Sequence, residues 1–213
     1  MKLKQIILAG ILSLAILLAG CSASRSAAPD TAEAGTIANA LAAYRDILKS
    51  SPAMTGEHDE LNDASFDYEQ NLAKFGNHYD MFALSDLNHD GVPELIAQSI
   101  VNFRWNIVSI YAYADGNAVL VKDAQNPDSN GTFEQNSSAN GAYVTYLCDQ
   151  LHIHSVWRGT NAAGDAEEEN TVYMLDGTVL AQTECAISES ENTIDFQEVL
   201  YPNTPEHVDE IVR

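Results

Sequence analysis

Apolar positions fall along this chain in three successive textures, and each predicts a different kind of element. The first is a nearly unbroken apolar stretch from Ile6 to Leu18, interrupted only by Gly10 and Ser13 and preceded by Lys2 and Lys4. A positive start and a short apolar run make the layout of a secretory signal peptide, since a bilayer-spanning helix needs about 20 apolar residues. The second texture is helical. Ile37, Leu41, Tyr44 and Leu48 recur at three- and four-residue spacing, which predicts an amphipathic helix from a Thr36 cap to about Ser50. Between these two, Ser22–Gly35 is rich in Ser and Ala and reads as a flexible tether. Pro52–Gly76 is polar, with Leu61, Phe66, Tyr68, Leu72 and Phe75 as its main apolar anchors, and it predicts no definite element.

From about Tyr79 the third texture takes over: short β-like runs split by turn residues. Met81–Leu84 and Leu95–Val101 are two such runs. Ile107–Tyr113 and Ala118–Val121 flank Ala114-Asp115-Gly116-Asn117, Tyr143–Leu147 and Leu151–Trp157 flank Cys148-Asp149-Gln150, and Thr171–Leu175 and Thr178–Thr183 flank Asp176-Gly177. Three hairpins in a row predict an antiparallel meander. Asp123–Gly141 and Arg158–Asn170 read as polar loops, and Thr204–Val212 as a short helix with Thr204 capping and Pro205 first. The expected class is α+β: an N-terminal amphipathic helix followed by a β-meander of hairpins, in one domain spanning 36–213.

Charge narrows the partners. The chain carries 10 basic and 31 acidic residues, and its formal charge of −21 becomes −23 once Lys2 and Lys4 leave with a signal peptide. Such a surface repels nucleic acid and anionic headgroups, and it suits solubility and metal cations. Cys148 and Cys185 either close a disulfide, as an oxidising compartment allows, or stay as two buried thiols.

One segment concentrates chemistry. In Asp86-Leu87-Asn88-His89-Asp90-Gly91-Val92-Pro93-Glu94, oxygen-bearing side chains stand at alternate positions 86, 88 and 90. Gly91 follows where a tight loop needs freedom in φ, Val92 offers a backbone carbonyl, and Glu94 adds a carboxylate. Calcium takes about six to eight oxygens, and a loop wrapping one ion presents them at this spacing. The alternative is an Asx-rich turn that holds no metal, because Asp and Asn favour turns for their own local hydrogen bonds. An EF-hand fails twice. Ala97 stands where its bidentate Glu belongs, and Pro93 with Leu95-Ile96 predicts an outgoing strand, not a helix.

Two resemblances add to this reading. Leu18-Ala19-Gly20-Cys21 resembles the lipobox of bacterial lipoproteins. That implies cleavage after residue 20, a diacylglyceryl group on Cys21, a tether over 21–35, and anchorage to the cell membrane or an outer membrane, facing outward or periplasmic. The loop resembles the calcium loops of FG-GAP and VCBS-type repeats, D-x-[DN]-x-D-G-x-x-[DE]. Phe82–Ile96 with the later Ile110-Tyr111-Ala112-Tyr113-Ala114-Asp115-Gly116 is similar to a recurrent segment of small bacterial lipoproteins. The resemblance implies structural calcium held by Asp86, Asn88, Asp90, Val92 and Glu94. It departs from the FG-GAP pattern in having Glu at the last position and only one copy.

Other features weigh less. His152 and His154 share a face of one expected strand and read as solvent-facing rather than as a zinc pair. Phe103, Trp105, Trp157 and the tyrosines read as packing groups before a sugar platform, and Glu167-Glu168-Glu169 as a solvated loop. No G-x-S-x-G, H-E-x-x-H or glycine-rich phosphate loop occurs. The expected function is therefore a lipid-anchored, non-enzymatic binding or interaction module for a glycan, a peptide or an envelope protein. The competing class is an extracytoplasmic hydrolase with its site among the hairpin loops.

Overall fold

A computed structural model describes residues 34–53, 78–102, 105–128, 130–138, 141–148, 152–184 and 193–211. The expected signal peptide, Cys21 and Cys185 lie outside these, as does the side chain of Cys148. Helix α1 (Ala34–Ser50) comes first, and Thr36 lies within it instead of capping it. Mostly antiparallel strands follow, so the class is α+β.

The first sheet is built on β1 (Met81–Ser85), β2 (Glu94–Asn102) and β3 (Trp105–Ala114), paired in sequence order. One half of β3 pairs with β4 (Asn117–Leu120) and the other half with β6 (Thr132–Ser138). The β3–β4 turn has Asp115 and Gly116 both at positive φ, 51° and 81°. That is the backbone a tight, right-twisted hairpin demands, and it is why Asp-Gly is a good signal there. The second sheet runs β6, β7 (Gly141–Cys148), β8 (His152–Thr160), β9 (Ala166–Asp176), β10 (Val179–Glu184). β5 (Lys122–Asp123) joins β10 in parallel, and β11 (Thr193–Asp195) joins β7. Helix α2 (Phe196–Val199), strand β12 (Tyr201–Pro202) on the β1 edge, and helix α3 (Pro205–Glu210) complete the order.

The pairing closes on itself. β4 and β5 are separated only by Val121, whose N–H donates to Ile110 O at 3.0 Å. The ladder therefore runs from β3 through β6, β7, β8, β9, β10 and β5 back along β4 to β3. Val108, Ile110, Phe133, Ile153, Leu175 and Leu180 come from strands of this circuit and form one buried cluster with Ile96 and Phe196. Phe133 stacks on Tyr173 at 4.9 Å between ring centres.

A second cluster sits on the other face of the first sheet. The two-residue alternation of a strand sends Ile96 into the circuit while Leu95 and Ala97 turn toward α1. There they meet Ala40, Tyr44 and Leu48, all fully buried, together with Phe82, Val92 and Val208. A sheet covered on both faces needs nearly continuous apolar strands, which explains the texture of Leu95–Val101. Ser51, just past α1, and Tyr79, just before β1, are tied by Tyr79 N–H donating to Ser51 O at 3.0 Å. Asn203 Nδ2 fastens the same corner, donating to Tyr79 O at 2.8 Å, Ser51 O at 3.2 Å and Leu48 O at 3.3 Å.

The three predicted hairpins are all present, but two predicted loops contain strand. Asp123–Gly141 includes β6, and Arg158–Asn170 is strand at both ends with only Asn161–Asp165 between β8 and β9. Both misreadings have one cause. Thr-Phe-Glu-Gln-Asn-Ser-Ser and Ala-Glu-Glu-Glu-Asn lack apolar alternation and are held by backbone ladders to β3 and β8. Nor is the fold a pure meander, because β5 pairs in parallel and β12 returns to the β1 edge. The C-terminal helix begins as expected, with Thr204 as cap and Pro205 first.

Candidate functional site

The loop Asp86–Pro93 joins β1 to β2, so strand enters and strand leaves, with Ser85 paired to Glu94 at its base. Local chemistry shapes it. Asp86 Oδ1 accepts from Asp90 N–H at 3.1 Å and its Oδ2 from Gly91 N–H at 3.1 Å. Asn88 Oδ1 accepts from Asp90 N–H at 3.0 Å, and Asp90 Oδ1 from Val92 N–H at 2.8 Å. Asn88 Nδ2 donates to Asp90 Oδ2 at 3.2 Å. The reversal needs left-handed backbone at His89 and Gly91, φ 56° and 88°. At Gly91 this costs nothing sterically, whereas at His89 it costs roughly 1–2 kcal/mol, held in place by the surrounding bonds.

Glu94 lies beneath this exposed turn and is only 2% exposed. Its Oε2 accepts from Leu87 N–H at 2.7 Å. Burial pushes its carboxyl up to about 8; the Leu87 bond pulls the other way, and the negative charges of Asp90 and Asp86 add to the rise. An acid so placed favours its protonated form and is costly to ionise unless a cation neutralises the charge.

Tyr44 on α1 is fully buried, and its hydroxyl makes no hydrogen bond among the described residues. Burial raises its pKa well above the ordinary phenol value, and Glu94, then Asp90, then Tyr113 raise it further. Two other tyrosines of the same region solve the problem by pairing. Tyr79 and Tyr111 share a hydrogen bond at 2.7 Å with their rings edge to face. Sequence periodicity showed Tyr44 only as part of an apolar helix face.

The site residues expected from the sequence thus occupy one loop, but they are not grouped as a finished metal centre. Among the described residues no three His, Cys, Asp or Glu side chains are grouped so that they could hold an ion. The donor chemistry nonetheless suits calcium. Each carboxylate offers about four lone-pair sites, so the loop amides do not exhaust Asp86 or Asp90.

Comparison with known protein families, curated proteins and solved structures finds no match. The site therefore has to be read from its own residues.

The remaining sequence candidates are dispersed. His154 is fully buried on β8, which overturns its reading as a solvent-facing histidine; the strand is covered on both faces from Ile153 to Val156. Glu167, Glu168 and Glu169 belong to β9 and not to a loop, although they are exposed as expected. Glu168 pairs with Arg158 at 2.8 Å, a solvent-screened contact of little weight. A cavity of about 250 Å³ opens among Phe82, Leu84, Tyr201, His207, Glu210 and Ile211. Its only ring nitrogens belong to His207, whose Nδ1 lies 3.1 Å from Pro202 O and 3.2 Å from the capping Thr204 hydroxyl, and so is engaged in structure. No described helix is long and apolar enough to cross a membrane.

Proposed function

We propose that this protein is a lipid-anchored, extracytoplasmic binding or interaction module whose Asp86–Glu94 loop is held by calcium. The observation that carries the calcium reading is the stacking of a buried carboxylate, Glu94, under a turn already rich in oxygen donors. Asp86, Asn88, Asp90 and Glu94 would hold the ion with their side chains, and Val92 with its carbonyl. The ion would supply positive charge that lets Glu94 ionise while buried. Its role is structural: every side-chain ligand comes from one hairpin, which the ion would pin to β1 and β2. Anchorage by Cys21 rests on the Leu-Ala-Gly-Cys motif, and a glycan, a peptide or an envelope protein is the expected ligand.

The test is a thermal melt of the soluble chain with calcium, with magnesium and with chelator, beside an Asp86→Ala, Asp90→Ala double variant. The expected outcome is a calcium-selective rise in Tm that the variant lacks, since a ligand bound only to the folded state at 100 times its Kd adds about 2.7 kcal/mol. No shift at millimolar calcium removes the ion from the reading.

A further inference from the structure

Helix α3 uses its side chains in two ways. Val208 joins the buried cluster of Tyr44 and Leu48. His207, Glu210 and the C-capping Ile211, at three- and four-residue spacing, line the cavity of about 250 Å³ instead, facing Phe82 and Leu84 of β1 and Tyr201 of β12. Antiparallel register sets Tyr201 opposite Phe82, with their rings 6.1 Å apart, and the rings of Tyr201 and His207 are 5.9 Å apart. Core packing accounts for Phe82, only 3% exposed, but not for Tyr201, which is 56% exposed at the rim of an apolar cavity. The charge there has one sign. Asp209 is neutralised by Lys49 at 2.6 Å, whereas no ion pair among the described residues reaches Glu210, and no lysine or arginine lines the cavity.

We propose that this cavity docks a peptide segment in which an arginine stands beside an aliphatic residue. The aliphatic side chain takes the space among Phe82, Leu84 and Ile211, and the guanidinium meets the Tyr201 ring and the Glu210 carboxylate. Arginine suits both, because its planar cation stacks on aromatic faces and matches a carboxylate with two parallel hydrogen bonds. The formal charge of −21 draws such a segment in and repels an acidic one. A sugar fits less well, since apolar walls would leave many of its hydroxyls without partners. A cavity of this size takes one or two side chains, so the contact is small and transient. The proposal rests on the reading of the chain as a binding module and names the class of its ligand.

The experiment is an amide chemical-shift titration of the soluble chain with the peptide Gly-Arg-Leu-Gly, acetylated and amidated so that arginine carries its only charge. Gly-Gln-Leu-Gly and Gly-Arg-Gly-Gly, blocked in the same way, are the controls, and the titration is repeated on Tyr201→Ala, Glu210→Gln and Glu206→Gln. The expected shifts gather on Phe82, Leu84, Tyr201, His207 and Ile211, and each control peptide binds more weakly. Glu210→Gln should weaken binding about two- to fivefold, the usual contribution of an exposed ion pair, and Tyr201→Ala should weaken it by a similar factor. Glu206, an exposed acid of the same helix that does not line the cavity, should be replaceable by Gln without effect. Equal weakening by Glu206→Gln and Glu210→Gln, or a control peptide binding as well as the first, overturns the proposal and leaves only general attraction to an acidic surface. Absence of shifts at about 10 mM peptide, a concentration that reveals even millimolar affinity, overturns it as well. Either failure removes the peptide from this cavity alone, because the calcium melt decides the loop independently.

Discussion

Glu94 is the residue on which most of the chemistry turns, and its burial makes a prediction about pH. An acid that is harder to ionise in the folded chain keeps its proton there after the unfolded chain has lost it. Stability of the metal-free protein therefore falls as pH rises from about 4.5, the ordinary value, to about 8, the folded value, and levels off above it. Each unit of such a difference is about 1.36 kcal/mol, so the loss is on the order of a few kcal/mol. Glu94→Gln should remove that component. Denaturant midpoints taken from pH 5 to 8.5 in chelator check it: the wild type should decline relative to the variant across this window, and parallel curves would show that Glu94 titrates normally. The donors around it were legible in the sequence because their types and alternate spacing are local properties. The burial of Glu94 was not, because it depends on how β1, β2 and the loop between them fold over position 94. His154 was misread because alternation on one strand does not reveal what covers each face.

Among the elements, α1 depends most on packing. Its polar residues contribute little to holding it, since the contact of Lys49 with Asp209 of α3 is half exposed. Docking rests on Ala40, Tyr44 and Leu48. Leu48→Ala should cost about 2–5 kcal/mol in a chemical denaturation series, the range for a buried leucine cut to alanine. A cost below about 1 kcal/mol would mean that the helix packs less tightly than its burial indicates. Hairpins were the most legible elements, since turn chemistry such as Asp115-Gly116 and Asp176-Gly177 fixes both ends of a pair. β6 and the start of β9 were illegible because a strand bonded through its backbone to a neighbour needs no apolar signature of its own.

For the whole molecule, the closed circuit has a cooperative consequence. None of β3, β6, β7, β8, β9 and β10 can leave without breaking two ladders, and the first sheet is shared by both buried clusters. Far-ultraviolet circular dichroism, which sees α1, and tryptophan fluorescence should therefore report one coincident unfolding transition. Separate midpoints would show that α1 and the circuit melt as independent units. The sequence predicted the class and the order of hairpins here. Closure itself was out of reach, because it hangs on the two-residue β5 and on the single bond from Val121 to Ile110.

The bond between Ser51 and Tyr79 works like the last base pair of a stem. It fixes two points on the body, with Asn203 as a clasp that reaches Leu48, Ser51 and Tyr79 at once. One side chain near the C-terminal end thereby locks the exit of the first helix to the entry of the first sheet, so that a change at position 203 is felt at both ends of the seam.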